Sequence, residues 1–278
     1  MYYWGLTFFS DLFYLINDQF SGGCLSPDLF MDLVRQIKKN KNNKNNIPVF
    51  LLIMNGIFYY TNLVKTIFGK YQKRVTFYVL GSISIGFVVL TILISVFPKS
   101  LVDLEFSQEM QEHQNPTLDA LMKLVSWFGY SPGSVIVVLS GVLLFFIFKY
   151  KKEALCILIT ALSGLVTLLV KIVVNRPRPT EPIVRIVQKV NQQSFPSGHV
   201  LFYIVYFGFL TVLMYHLKTI PKIMRISVTA ISMLLIFAIP FSRIYLGAHW
   251  FTDVLGGFLL GILCLYALCL FYFRKTVK

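Results

Sequence analysis

TFYVLGSISIGFVVLTILISVF, residues 76–97, runs for 22 residues without a charge. About 20 apolar residues suffice to cross a bilayer as a helix. The run is too long and too evenly apolar for a barrel strand, and lipid leaves no third option, because backbone polar groups there need internal partners. The same reading applied to the rest of the chain finds further apolar runs near 134–149, 154–174, 199–217, 224–241 and 253–273. The predicted fold class is therefore an all-α integral membrane protein, a six-transmembrane-helix bundle. Composition agrees: of 278 residues 56% are hydrophobic and only 14% charged, against roughly 25% charged in a soluble domain, and mean hydropathy is +0.69.

The net charge of +14 does not imply nucleic acid, because its distribution follows the positive-inside rule. Lys70, Lys73 and Arg74 precede the first run; Lys149, Lys151 and Lys152 lie between the second and third; Lys218, Lys222 and Arg225 between the fourth and fifth; Arg274, Lys275 and Lys278 follow the sixth. These segments are expected in the cytoplasm, with both chain ends. The segment 98–132 carries Asp103, Glu105, Glu109, Glu112 and Asp119 against Lys99 and Lys123, and is expected outside as a loop, with Trp127, Phe128 and Tyr130 as interfacial anchors. The stretch from Lys171 to His199 breaks the charge rule with five cations, a hint of an anionic ligand. Arg176, Arg185 and Lys189 are read there as headgroup-layer cations.

Chemistry concentrates in three short stretches of the second half. They are Lys171-x6-Arg178-Pro179, then Pro196-Ser197-Gly198-His199, then Ser242-Arg243-x5-His249-x3-Asp253. Charge in apolar surroundings is expensive and generally functional. With helix from about Ala248, His249 and Asp253 share a face at i and i+4. A carboxylate on one ring nitrogen fixes the tautomer and frees the other to attack. Ser197 is a good N-cap before the fourth run, and a helix start beside Gly198 exposes N–H groups to an anion. Lys171, Arg178 and Arg243 supply cations suited to tetrahedral oxyanions. The set fits in-line displacement at phosphorus, where positioning and charge stabilisation dominate.

Taken together, the three stretches resemble the complete signature of the type 2 phosphatidic acid phosphatase superfamily, with no departure at a signature position. The resemblance covers about residues 70–278. It implies His249 as nucleophile forming a phosphohistidine, Asp253 as its orienting partner, and His199 as general acid and then base. It implies Lys171, Arg178, Ser197, Gly198 and Arg243 as phosphate-binding residues. It also implies that no metal and no other cofactor are needed. The implied partners are the lipid bilayer and an anionic phospholipid or prenyl pyrophosphate, of the phosphatidic acid, phosphatidylglycerol phosphate or undecaprenyl pyrophosphate class. No nucleic acid and no obligate protein partner are expected. The active site is placed on the extracytoplasmic face of the cell membrane. Two alternatives share these residues: a lipid-linked phosphotransferase, and a non-catalytic binder of anionic lipid.

The remaining sequence is less informative. Cys24, Cys156, Cys264 and Cys269 form no CxxC pair and are read as packing residues. Residues 1–46 end in a polar Lys/Asn run and are read as an N-terminal appendage and linker of unknown role, with a start at Met54 as the competing reading. Residues 47–69, interrupted by Asn55, Asn62 and Lys65, are predicted as an interfacial helix. The phosphatase domain is expected over 70–278.

Overall fold

The computed structural model describes residues 74–98, 100–188 and 190–274, and regular structure among them is helical throughout. The expected appendage (1–46) and interfacial helix (47–69) lie outside the described residues. The charge-free run becomes α1, Arg74–Val96. Its Phe77, Ile85, Ile92 and Val96 stand exposed on the protein surface, an apolar face of the kind a bilayer covers.

The segment expected as a loop after α1 forms two helices instead: α2, Leu101–Met110, and α3, Pro116–Trp127. Both starts have ordinary caps. The Ser100 side chain accepts from Asp103 N at 3.1 Å, and the Asn115 side chain from Leu118 N at 2.7 Å, with Pro116 in the first turn. A side-chain oxygen satisfies an orphan N–H and proline suits the first helical position.

The later runs give α4 (Gly133–Ile147), α5 (Lys151–Ile159), α6 (Leu162–Val174), α7 (Gly198–His216), α8 (Lys222–Tyr245) and α9 (Phe251–Phe273). Helices α5 and α6 follow one another across a turn at Thr160–Ala161 and make one candidate span, Lys151–Val174. Five helices are thus long and apolar enough to cross a membrane among the described residues. The predicted second span is the exception. At 15 residues and 1.5 Å rise, α4 reaches about 22 Å, short of the ~30 Å hydrocarbon core.

The core is built on α7, which packs against α6, α8 and α9. Val200, Leu201, Tyr203, Phe209 and Leu213 are all buried, as expected of a helix apolar on every side. Its approach to α9 is close because α9 presents glycines there. A Cβ on Gly257 would stand 2.6 Å from Ser197 O, and one on Gly261 3.0 Å from Ile204 Cβ. Small residues let helix backbones meet in this way. Helix α8 runs four residues past its expected end at 241, which carries Ser242 and Arg243 into its last turn.

Candidate active site

The end of α6, the start of α7, the end of α8 and the start of α9 lie at one end of the bundle, because the chain reverses direction between successive spans. All three signature stretches sit at these helix ends. Between α8 and α9 the chain turns through Gly247 at φ +65. A Cβ there would overlap the Arg185 carbonyl, so glycine is required by both conformation and space.

His249 lies in this turn, not on the helix. Helix α9 begins at Phe251 with Trp250 as its cap, two residues after His249, which corrects the expected start near Ala248. Asp253 caps that helix: its Oδ2 accepts from Trp250 N at 2.9 Å and from the Ser194 hydroxyl. This capping duty holds the carboxylate where Oδ2 stands 3.6 Å from His249 Nδ1. Both side chains are buried, and Nδ1 has no hydrogen-bond partner. The other ring nitrogen, Nε2, lies 3.3 Å from Arg178 Nη1. Burial, and then the nearby Arg178, Arg243 and Lys171, push the His249 imidazole well below its ordinary range. It is therefore neutral near pH 7, with a lone pair free for attack.

The cations surround this ring. Lys171, in the last turn of α6, is buried and donates to Gln193 O. Asn175, in the left-handed conformation, ends that helix by returning its N–H to Lys171 O at 2.9 Å. Arg178 donates to the carbonyls of Gln192, Gln193 and Ala248. Burial and then the neighbouring Arg243 lower its guanidinium to about 10, so it remains charged. Arg243 is fully buried, with Nη1 3.0 Å from Ser126 Oγ and Nε unpartnered.

Ser197 occupies the N-cap position of α7, but its hydroxyl makes no capping bond and has no partner. Its N–H donates to Asp253 O at 2.9 Å, tying α7 to α9. The first N–H groups of α7 have no acceptor within the helix and lie beside the cations. Gly198 faces α6 so closely that a Cβ would stand 3.0 Å from Thr167 Cγ2. His199 follows, its Nε2 buried and unpartnered.

A cavity of about 850 Å³ joins these groups. Lys171, Arg178, Gly198, His199, Arg243 and His249 all line it, whereas Ser197 and Asp253 are not among its lining residues. The rest of the lining includes apolar residues, Val135, Val138 and Leu139 of α4, Leu158 of α5 and Leu168 of α6, interspersed with Ser134, Ser163 and Thr167. The cations and histidines thus share one cavity with apolar stretches of α4, α5 and α6.

Arg176 was expected as a headgroup-layer cation, and that expectation fails. Its side chain is 1% exposed; Nη1 meets Asp253 Oδ1 and Nη2 meets Asp103 Oδ2, each at 2.6 Å. Asp103 also accepts from Thr252 N and Oγ1 at 2.9 Å, docking α2 on the start of α9. Arg185 is half exposed and pairs with Asp119 at 2.7 Å, holding that carboxyl below its ordinary range; Lys189 lies outside the described residues. Tyr130, expected as an interfacial anchor, turns inward to line the cavity. Sequence reading missed Asp103, Ser194 and Ser126 as neighbours of the site. Only Asp103 had a signal, its capping distance from Ser100, and that marks a helix start rather than an ion pair. No group of three or more His, Cys, Asp or Glu stands together to hold a metal among the described residues.

A helical membrane protein that gathers a buried His–Asp pair, a second histidine and three cations beside one cavity has the parts that phosphoryl-cleaving enzymes use. The chain belongs to the PAP2 superfamily, the type 2 phosphatidic acid phosphatases, whose family model matches residues 152–276. It is 32% identical over 158 residues to phosphatidylglycerophosphatase B of Bacillus subtilis (strain 168), covering 54% of this chain and 73% of the relative. It is 31% identical over 163 residues to an undecaprenyl-diphosphatase of Sulfolobus acidocaldarius, covering 57% and 73%. The fold matches the crystal structure of a transmembrane PAP2 type phosphatidylglycerolphosphate phosphatase from Bacillus subtilis. That match has a TM-score of 0.61 and 25% identity, over 72% of this chain and 98% of the other. The chain is accordingly a membrane enzyme of the hydrolase class.

Proposed function

We propose that the protein hydrolyses a phosphomonoester or pyrophosphate on a membrane lipid through a phosphohistidine at His249. The observation that carries this reading is the single cavity in which three cations and both histidines meet apolar stretches of α4, α5 and α6. A phosphorylated headgroup fits against the cations while its chains remain against the apolar stretches. The names of the relatives, phosphatidylglycerophosphatase and undecaprenyl-diphosphatase, support substrates of those classes, with phosphatidic acid a third.

The chemistry follows from the nitrogens. His249 Nε2, which faces Arg178 across 3.3 Å, attacks phosphorus, and the bond from phosphorus to the leaving oxygen breaks in line. His199, protonated once the anionic headgroup occupies the cavity beside it, gives its proton to that oxygen. Asp253, 3.6 Å behind Nδ1, stabilises the imidazolium as it forms. Lys171, Arg178, Arg243 and the N–H groups at the start of α7 hold the phosphoryl oxygens as charge develops. Water then attacks phosphorus, giving a proton to His199, and the N–P bond breaks to release phosphate. No step calls for a metal.

In the membrane we place six crossings, with α4 the short one, accommodated by local thinning of the bilayer. Lys151, Lys152, Lys222 and Arg225 lie at or near the helix ends opposite the site, which the positive-inside rule assigns to the cytoplasm. The active site then faces outward, and residues 70–278 make up the phosphatase domain. Phosphate release by purified protein in detergent with EDTA tests the reading, across phosphatidic acid, phosphatidylglycerol phosphate and undecaprenyl pyrophosphate. Release by wild type and its loss in His249→Ala are expected; release at the wild-type rate by the variant overturns the assignment of the nucleophile.

A further inference from the structure

We infer that Tyr130 is a further substrate-contacting residue, donating its hydroxyl to a phosphoryl oxygen while its ring holds His199 in place. The inference rests on the phosphatase reading above and adds a residue that lies outside all three signature stretches.

Its first support is an accounting of buried polar atoms. Among the described residues, Ser197 Oγ, His199 Nε2, Arg243 Nε and His249 Nδ1 are buried without a hydrogen-bond partner. All four belong to residues proposed to act on the phosphoryl group. A buried donor without an acceptor is costly in the free protein and can be matched by an arriving ligand, except at His249 Nδ1, which faces Asp253. Tyr130 Oη is in the same condition, and Tyr130 lines the cavity beside His199 and Arg243. Two further atoms have no partner, Gln188 Oε1 and Ser163 Oγ; Ser163 lines the same cavity but sits eight residues before Lys171 on α6, about 12 Å along the helix axis.

The second support is the packing of the ring. Its centroid lies 4.2 Å from that of His199, at an interplanar angle of 68°. The backbone at Gly129 also presses on His199: a Cβ there would fall 2.8 Å from His199 Cγ. The Gly129–Tyr130 turn therefore fixes the histidine ring with a bare backbone and an aromatic edge. Arg243 Cζ lies 5.0 Å from the Tyr130 ring centroid, so a guanidinium on the anion-binding wall rests over the same ring. A phenol held between the proton-transferring histidine and a phosphate-binding arginine is placed to donate to the oxyanion both would serve.

Orthovanadate serves as the probe, a tetrahedral oxyanion that also adopts five-coordinate geometry. Its binding to the full chain in detergent is measured by titration calorimetry, with the melting temperature recorded with and without vanadate. Tyr130→Phe removes only the hydroxyl; Tyr130→Leu removes the ring as well. We expect Tyr130→Phe to weaken vanadate at least about tenfold, as for loss of a hydrogen bond to a charged group. Its melting temperature without vanadate should change little. Tyr130→Leu should also lower kcat, because His199 loses its packing. Wild-type vanadate affinity in Tyr130→Phe overturns the inference alone. A lowered melting temperature with vanadate affinity intact also overturns it, by making the hydroxyl structural. A wild-type protein that neither binds vanadate nor releases phosphate overturns the phosphatase reading, and the inference with it.

Discussion

Arg176 Nη1 lies 2.6 Å from Asp253 Oδ1, with both side chains buried. The carboxylate behind His249 is therefore not a free negative charge: one oxygen is held by a guanidinium and the other by Ser194 and Trp250. Asp103 holds the far side of the same guanidinium. This arrangement fixes the direction in which Asp253 faces the histidine.

Removing that cation leaves two carboxylates buried and unpaired. We expect Arg176→Met to cost about 3–5 kcal/mol of stability, the usual penalty for breaking a buried pair from one side. Arg176→Lys restores charge but not the two-sided fork and should recover only part of it. Thermal unfolding in detergent measures both. A melting temperature equal to wild type in Arg176→Met contradicts the role of the pair.

Five of the six expected spans and the meeting of the signature residues were legible in the sequence. Apolar runs alternate with basic segments, and alternation brings the ends of α6 and α8 to the starts of α7 and α9. The role of Arg176 was not, because its partners Asp103 and Asp253 lie 73 and 77 residues away. Local reading sees only a cation near a helix end. Helices α2 and α3 were missed for another reason: their acidic content reads as loop, although Ser100-x-x-Asp103 and Asn115-Pro116 are ordinary helix starts. Tyr130 reads as an interfacial aromatic, and nothing local distinguishes inward from outward.

Asp253→Asn keeps the shape of the side chain but withdraws the charge that stabilises the imidazolium. By analogy with other His–Asp pairs, kcat is expected to fall by at least about 100-fold. Because Asp253 is not among the residues lining the cavity, KM should move much less. A steady-state titration with any accepted lipid separates the two; an effect confined to KM contradicts the assigned position.

Acid affects the protein through His249. Its folded value lies well below the ordinary 6.5, so between those two values the unfolded chain binds a proton that the folded chain does not. Stability contributed by this group is intact above about pH 6.5 and declines as pH falls below it. The nucleophile stays neutral in the same window, so His249 itself imposes no loss of kcat/KM near pH 6.5. Melting temperature and rate measured from pH 5 to 8 check both limbs. A His249→Gln variant whose melting temperature declines with acid as steeply as wild type contradicts the linkage.

The close approach of α7 and α9 makes Gly261 sensitive to size. Its added Cβ meets Ile204 at 3.0 Å, so Gly261→Val forces the helices apart and should cost about 1–3 kcal/mol by overpacking. Displacing α9 also displaces Asp253, so activity should fall with stability. Unfolding and turnover of the purified variant test this; retention of both contradicts the packing described.

The most direct test of the central claim is the covalent intermediate. Purified protein mixed with lipid substrate, quenched in base within milliseconds and digested, should yield a phosphate on His249, since phosphohistidine survives base and not acid. The account predicts that this adduct forms and decays at rates compatible with turnover and is absent from His249→Ala. Full wild-type turnover with no phosphate on His249 at any quench time, or with the adduct on His199, would contradict it.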